Sequence, residues 1–118
     1  MPKIKILHTI WIILLINMFG CEKLELKIDV PACMENEIRE YSKSHLACDS
    51  GAKIYRYDFQ GSQVFVFEPG NCGADMPVNV YGSNCNLICT LGGFAGNAIC
   101  NSENFYENAT SKILVWEN

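Results

Sequence analysis

The chain has 118 residues, 49% of them hydrophobic and 19% charged, with nine Lys and Arg, thirteen Asp and Glu, two His and seven Cys. That length holds one small domain, and the acidic balance leaves no basic stripe with which to bind nucleic acid. Seven thiols in so short a chain direct attention to the redox compartment before any catalytic motif.

The N-terminus reads as a leader. Lys3 and Lys5 are followed by an apolar run from Ile6 to Phe19, interrupted by His8, Thr9 and Asn17, and then by the small residue Gly20. This is the charged, apolar, small-residue order of an export signal. The run of about 14 residues is shorter than the ~20 that cross a hydrocarbon core, so a permanent membrane span is disfavoured. An ordinary cleavage site carries two small residues, whereas here Gly20 alone stands directly before Cys21.

The stretch ending in Gly20-Cys21 resembles the lipobox of bacterial lipoproteins, over residues 1–21. The resemblance implies a diacylglycerol on the Cys21 thiol, cleavage before Cys21 and acylation of the new amino group. Met18 and Phe19 depart from the family, which prefers Leu and then Ala or Ser there. Two or three acyl chains, at ~0.8 kcal/mol per buried CH₂, hold a protein on a bilayer where one chain is marginal. The expected organisation is a signal peptide (1–20), a lipid-anchored tether (21–30) and one disulfide-rich α+β domain (31–118).

Cleavage would leave 98 residues with seven Lys and Arg against thirteen Asp and Glu, a net charge of −6. No polybasic patch remains for anionic lipid, so membrane contact is assigned to the acyl chains on Cys21. The other cysteines, Cys33, Cys48, Cys72, Cys85, Cys89 and Cys100, are even in number, which predicts three disulfides in an oxidising compartment. At ~2–4 kcal/mol each, three bridges rival the ~5–15 kcal/mol by which a domain is stable at all. Zinc is the rival use of thiols, but it wants paired knuckles or clustered histidines; the tightest pair is Cys85 and Cys89, and His45 is the one histidine after the leader. No metal and no cofactor are expected.

Glu22 to Val30 is charged at five of nine positions and reads as a flexible tether of about 16 Å. Pro31 sets a helix start, and Cys33, Met34, Ile38 and Tyr41 share one helical face, predicting a helix over Ala32–Ser44 with His45 just past its end. The segment KIYRYDFQGSQVFVFEP predicts a hairpin turning at Gln60-Gly61. A two-residue turn puts Tyr57 opposite Val64 and Tyr55 opposite Val66 on one face, with Ile54, Arg56 and Asp58 opposite Phe67, Phe65 and Gln63 on the other. Both faces are largely apolar, so the hairpin must be central or covered by the helix.

Val78–Tyr81 and Asn86–Thr90 predict short strands around Gly82-Ser83-Asn84. On one extended strand Cys85 and Cys89 would be about 13 Å apart, beyond the ~7 Å limit for a bridge, so each must bond elsewhere. That exclusion still leaves about 12 of the 15 connectivities of six cysteines. LGGFAGN (91–97) is a glycine-rich loop, SENFYEN (102–108) allows at most one helical turn, and KILVWE (112–117) is a closing strand with Ile113 and Val115 on one face and Leu114 and Trp116 on the other. The predicted fold is α+β: one N-terminal helix packed on an antiparallel sheet built around the hairpin.

Catalytic chemistry finds little support. A hydrolase needs a nucleophile beside a base, and His45 at a helix end reads as a solvated cap. An even cysteine count leaves no free thiol for a cysteine protease. Glu35, Glu37 and Glu40 sit on a helix surface instead of converging across a cleft, and GGFAG lacks the GKS or GKT ending of a phosphate loop. The aromatic hairpin residues Tyr55, Tyr57, Phe59, Phe65 and Phe67 read first as core and second as a platform for a carbohydrate or peptide. The Phe94 ring reads first as core; the candidate contact surface is nevertheless Gly92, Gly93 and Phe94, because an aromatic ring among glycines has little to bury it.

CMENEIREY, IYRYDFQGSQVFVFEP, the NC…VYGSNCNLIC…GGFAGN…C region and KILVWEN together are similar to an uncharacterised domain family of small Bacteroidota lipoproteins, over residues 31–118. That family carries adjacent cysteines where this chain has Asn71-Cys72 and lacks an equivalent of Cys48, so the resemblance implies that Cys48 stands in for a thiol at position 71. It implies no activity. The expectation is a non-enzymatic lipoprotein of the cell envelope, on the periplasmic side or the outer-membrane surface, that binds a partner protein or glycan. The alternatives are a small protease inhibitor, since VYGSNCNLIC faintly resembles Kazal-type inhibitors without their full cysteine spacing, and an envelope enzyme.

Overall fold

The computed structural model describes residues 24–44 and 47–118. Within them, α1 (Ala32–Lys43) leads into β1 (Lys53–Phe59), β2 (Ser62–Glu68), β3 (Pro77–Gly82), β4 (Leu87–Gly92), β5 (Ile99–Cys100) and β6 (Glu103–Asn104). A single helical turn, α2 (Phe105–Asn108), and the strand β7 (Thr110–Glu117) close the chain. The predicted Cys21 anchor and His45 lie outside the described residues.

The central hairpin forms in the register read from its sequence: Ile54 faces Phe67, Tyr55 faces Val66, Arg56 faces Phe65, Tyr57 faces Val64 and Asp58 faces Gln63. Gln60 and Gly61 have φ of 51° and 77°, the two left-handed residues of a type I′ turn, whose twist matches that of the strands. Both strands are interior, because the antiparallel five-stranded sheet runs β4-β3-β2-β1-β7. Five strands and an N-terminal helix make an α+β domain, as the pattern predicts.

Two apolar faces require two covers. On one, Met34 and Ile38 of α1 pack with Ala52, Ile54, Phe65, Phe67, Val115 and Trp116. On the other, Phe59, Val64, Val66, Val80 and Leu91 lie beneath Cys100 and Phe105, which belong to the short β5–β6 ribbon and α2. α1 starts where Pro31 accepts from the amides of Met34 and Glu35 at 2.9 and 3.0 Å, and ends one residue earlier than predicted, at Lys43. In α2, the side chain of Asn104 accepts from the Glu107 amide, capping the single turn that SENFYEN allows.

Two expectations are corrected. Strict alternation fails in β7: Tyr55 pairs with Leu114 and Ile54 with Trp116, so Val115 is an extra, bulged residue. Leu114 and Trp116 therefore fall on opposite faces, while Val115 and Trp116 both join the core beneath α1. The supposed tether is also not free chain. Leu24, Leu26, Ile28 and Val30 alternate with charged residues and pack against that same core, and the Lys27 amide donates to the Val115 carbonyl at 2.8 Å. Charge density alone reads as a tether, but hydrophobic alternation with period two lets this segment dock.

The six cysteines pair as Cys33–Cys85, Cys48–Cys72 and Cys89–Cys100, with Cα separations of 6.1, 5.4 and 5.4 Å. Cys85 and Cys89 bond to different partners, although not for the reason of shared strand geometry: Cys85 has φ 67° and sits in the β3–β4 turn, ahead of β4. The Cys48–Cys72 bridge pairs the residue implied to replace a thiol at 71 with the neighbouring cysteine.

Tyr41 is the core's one polar anomaly among the described residues. Its ring meets Phe67 edge-on at 5.0 Å and Trp116 at 6.4 Å, yet its hydroxyl is sealed from solvent without a hydrogen-bond partner. Burial, with smaller contributions from Tyr81 and Glu68, pushes its ionisation up to about 12.

Removing Cys33–Cys85, which closes 52 residues of sequence, as a Cys33→Ser/Cys85→Ser pair should lower the unfolding free energy by about 4 kcal/mol in a denaturant titration. Tyr41→Phe should leave stability unchanged or raise it by up to ~1 kcal/mol, because it deletes an unpaired buried hydroxyl. Since the folded state holds the Tyr41 proton to higher pH than the unfolded chain, stability should fall as pH rises from about 10 to about 12, and Tyr41→Phe should flatten that decline.

Candidate contact surface

Residues 92–97 form the tip joining β4 to β5. The Gly92 amide donates to the Asn97 carbonyl at 2.8 Å and the Asn97 amide returns the bond at 3.1 Å, closing a loop of four residues. Inside it, the Gly96 amide donates to the Gly93 carbonyl at 3.1 Å. Gly93 has φ +71°, a conformation that costs L side chains roughly 1 kcal/mol, and no atom lies within 4 Å of where a Cβ would stand. Backbone conformation, not lack of space, therefore favours glycine at that position.

Below the tip, the Asn97 side chain donates to the carbonyls of Thr90 and Ile99 at 2.9 and 3.0 Å and accepts from the Ile99 amide at 3.1 Å. The Cys89–Cys100 disulfide joins the two legs. Out of this braced turn Phe94 projects with 96% of its surface exposed, so the core alternative for its ring is excluded. Ile99, half exposed, lies on the returning leg. Gly92, Gly93 and Phe94 thus come together as one rigid, apolar-tipped turn.

The five hairpin aromatics do not make one platform. Phe65 and Phe67 are buried beneath α1, and Phe59 is buried against Phe105 at 5.0 Å on the opposite face. A shorter row remains on that opposite face: Tyr55 lies 6.4 Å from Tyr57, Tyr57 5.3 Å from Phe105, and Phe105 5.6 Å from the exposed Tyr106. A second register shift in β7, at Ser111 with φ 57°, accompanies the placing of the Lys112 ammonium 4.1 Å above the Tyr55 ring. Burial raises the Tyr57 hydroxyl's ionisation against the opposing pull of Lys112. Sequence reasoning missed Tyr106 and Lys112 here, because only the β7 irregularity and the α2 cap bring them to the hairpin.

Among the described residues, no group of three or more His, Cys, Asp or Glu is placed to hold a metal ion, and no helix is long and apolar enough to cross a membrane.

The tip separates conformation from contact. Gly93→Ala should lower stability by about 1 kcal/mol in thermal or denaturant unfolding, whereas Phe94→Ala should leave it within about 0.5 kcal/mol of the parent.

No curated protein and no solved structure matches the chain. A family model described as a domain of unknown function (DUF6970) matches residues 40–118, from the last turn of α1 to the C-terminus. All seven strands and five of the six paired cysteines fall inside that span, and Cys33, which precedes it, bonds back into it through Cys85. The chain belongs to the DUF6970 family.

Proposed function

We propose that the protein is a lipid-anchored, non-enzymatic module of the cell envelope that binds or assembles with an envelope partner. The observation that carries this reading is the Gly20-Cys21 border after a charged and then apolar leader. The cysteine pairing supports it. Six of the seven thiols satisfy one another, so Cys21 is the odd one, and an odd cysteine in an exported chain calls for another use. Thioether linkage to lipid is such a use. The three bridges themselves suit an oxidising compartment.

The contact role rests on the tip. An exposed ring on a stapled turn loses little conformational entropy when a partner covers it, which is what makes a small rigid protrusion an efficient contact. The partner is an envelope protein or glycan.

The test for the address is the intact mass of the membrane-extracted protein before and after reduction. It should lack the leader, exceed the bare 98-residue chain by its acyl groups, and gain two hydrogens per bridge for three bridges on reduction. Cys21→Ser should abolish processing and leave an unlipidated precursor that keeps its leader; a Cys21→Ser protein of mature size still on the membrane would refute the anchor. For the task, a photo-crosslinker in place of Phe94 should capture a discrete envelope component that the same probe at exposed Glu103 does not.

A further inference from the structure

A cleft of about 260 Å³ opens between the C-terminal half of α1 and the sheet, lined by Glu37, Glu40, Tyr41, Ser44, Phe67 and Tyr81. Its wall is three contiguous rings: Tyr41 meets Phe67 at 5.0 Å and 71°, and Phe67 meets Tyr81 at 4.8 Å and 58°. Glu37, Glu40, Tyr41 and Ser44 follow the helical spacing, so the two carboxylates stand on the strip of α1 that borders those rings. Neither carboxylate is ion-paired among the described residues; the helix's one such pair joins Glu35 to Arg39 at 3.3 Å, and Lys43 makes none.

We propose that this cleft receives one arginine side chain of a partner polypeptide, with its guanidinium laid against the partly exposed Tyr41 and Tyr81 rings, above the buried Phe67, and forked by Glu37 and Glu40. Three observations choose that occupant. Among the described residues the carboxylates at the mouth make no ion pair, which suits a cationic ligand. The wall is aromatic, and a guanidinium, being flat and weakly hydrated, stacks on rings while its N–H fork bonds carboxylates; an ammonium does only the second well. The volume lies below the ~300–1,000 Å³ of pockets that swallow a whole small ligand, and suits the end of one side chain. The site is independent of the anchor on Cys21 and of the Phe94 tip, so its failure would leave the proposed function standing, and the reverse.

The test uses the full chain and N-acetyl-arginine methylamide as probe, followed by NMR shifts of the Tyr41 and Tyr81 ring protons. Saturable binding at about millimolar dissociation constant is expected, weakening as salt is raised. The Glu37→Gln/Glu40→Gln variant, altered only at the groove's outward-facing acids, should bind about ten-fold more weakly with an unchanged melting temperature. Glu35→Gln should bind like the parent. The proposal is overturned if the neutral isostere N-acetyl-citrulline methylamide or the lysine analogue binds as well as the arginine probe. It is equally overturned if ring shifts are absent, or if the double variant retains full affinity.

Discussion

A hairpin that is apolar on both faces is the constraint from which the rest of the domain follows. Ile54, Phe65 and Phe67 point one way and Phe59, Val64 and Val66 the other, and each such side chain, fully buried, is worth roughly 1.5–3 kcal/mol over its exposed state. Neither set can be left in water in a chain this small, so β1 and β2 are driven to the middle of the sheet and both surfaces acquire a cover. α1 and the Leu24–Val30 strip supply one, the β5–β6 ribbon with α2 the other.

Each cover is thin, and the disulfides fall where thinness would matter. Cys33–Cys85 ties the first turn of α1 to the β3–β4 turn, and Cys89–Cys100 ties the opposite cover to β4. Cys48–Cys72 joins the loop before β1 to the loop after β2. At that end the Asn118 side chain also accepts from the Ala52 amide at 3.0 Å and donates to the Cys48 carbonyl, so the C-terminal residue seals the same junction. The edge strands are guarded as well: the Lys27 amide bonds the bulged β7, and the Asn97 amide group caps the Thr90 carbonyl of β4.

Two exposed features of this architecture lie at the β4–β5 tip and on the flank of α1. The Phe94 turn is held by backbone bonds and a disulfide, so the backbone that presents the ring is braced. The cleft beside α1 arises from the same covering geometry, because a single helix laid over Phe67 leaves its flank open next to Tyr81.

The amino-acid sequence by itself determined the elements that rest on local chemistry. The Gln60-Gly61 turn and the period-two pattern specified the hairpin's register pair by pair, because a slip of one residue would have exchanged its faces. Pro31 and the Met34–Ile38–Tyr41 spacing specified α1, whereas the glycines around Phe94 left core packing and exposure both open until the fold placed the ring in solvent. Only the tertiary structure decided which cysteines pair, since six thiols leave pairing to whatever the fold brings within reach. It alone also decided that Leu24–Val30 docks, that Val115 is bulged and that Lys112 arrives over Tyr55. Those outcomes depend on contacts between segments distant in the chain: the period-two pattern of Leu24–Val30 allows docking, but the surface that a strip or a bulge meets selects it.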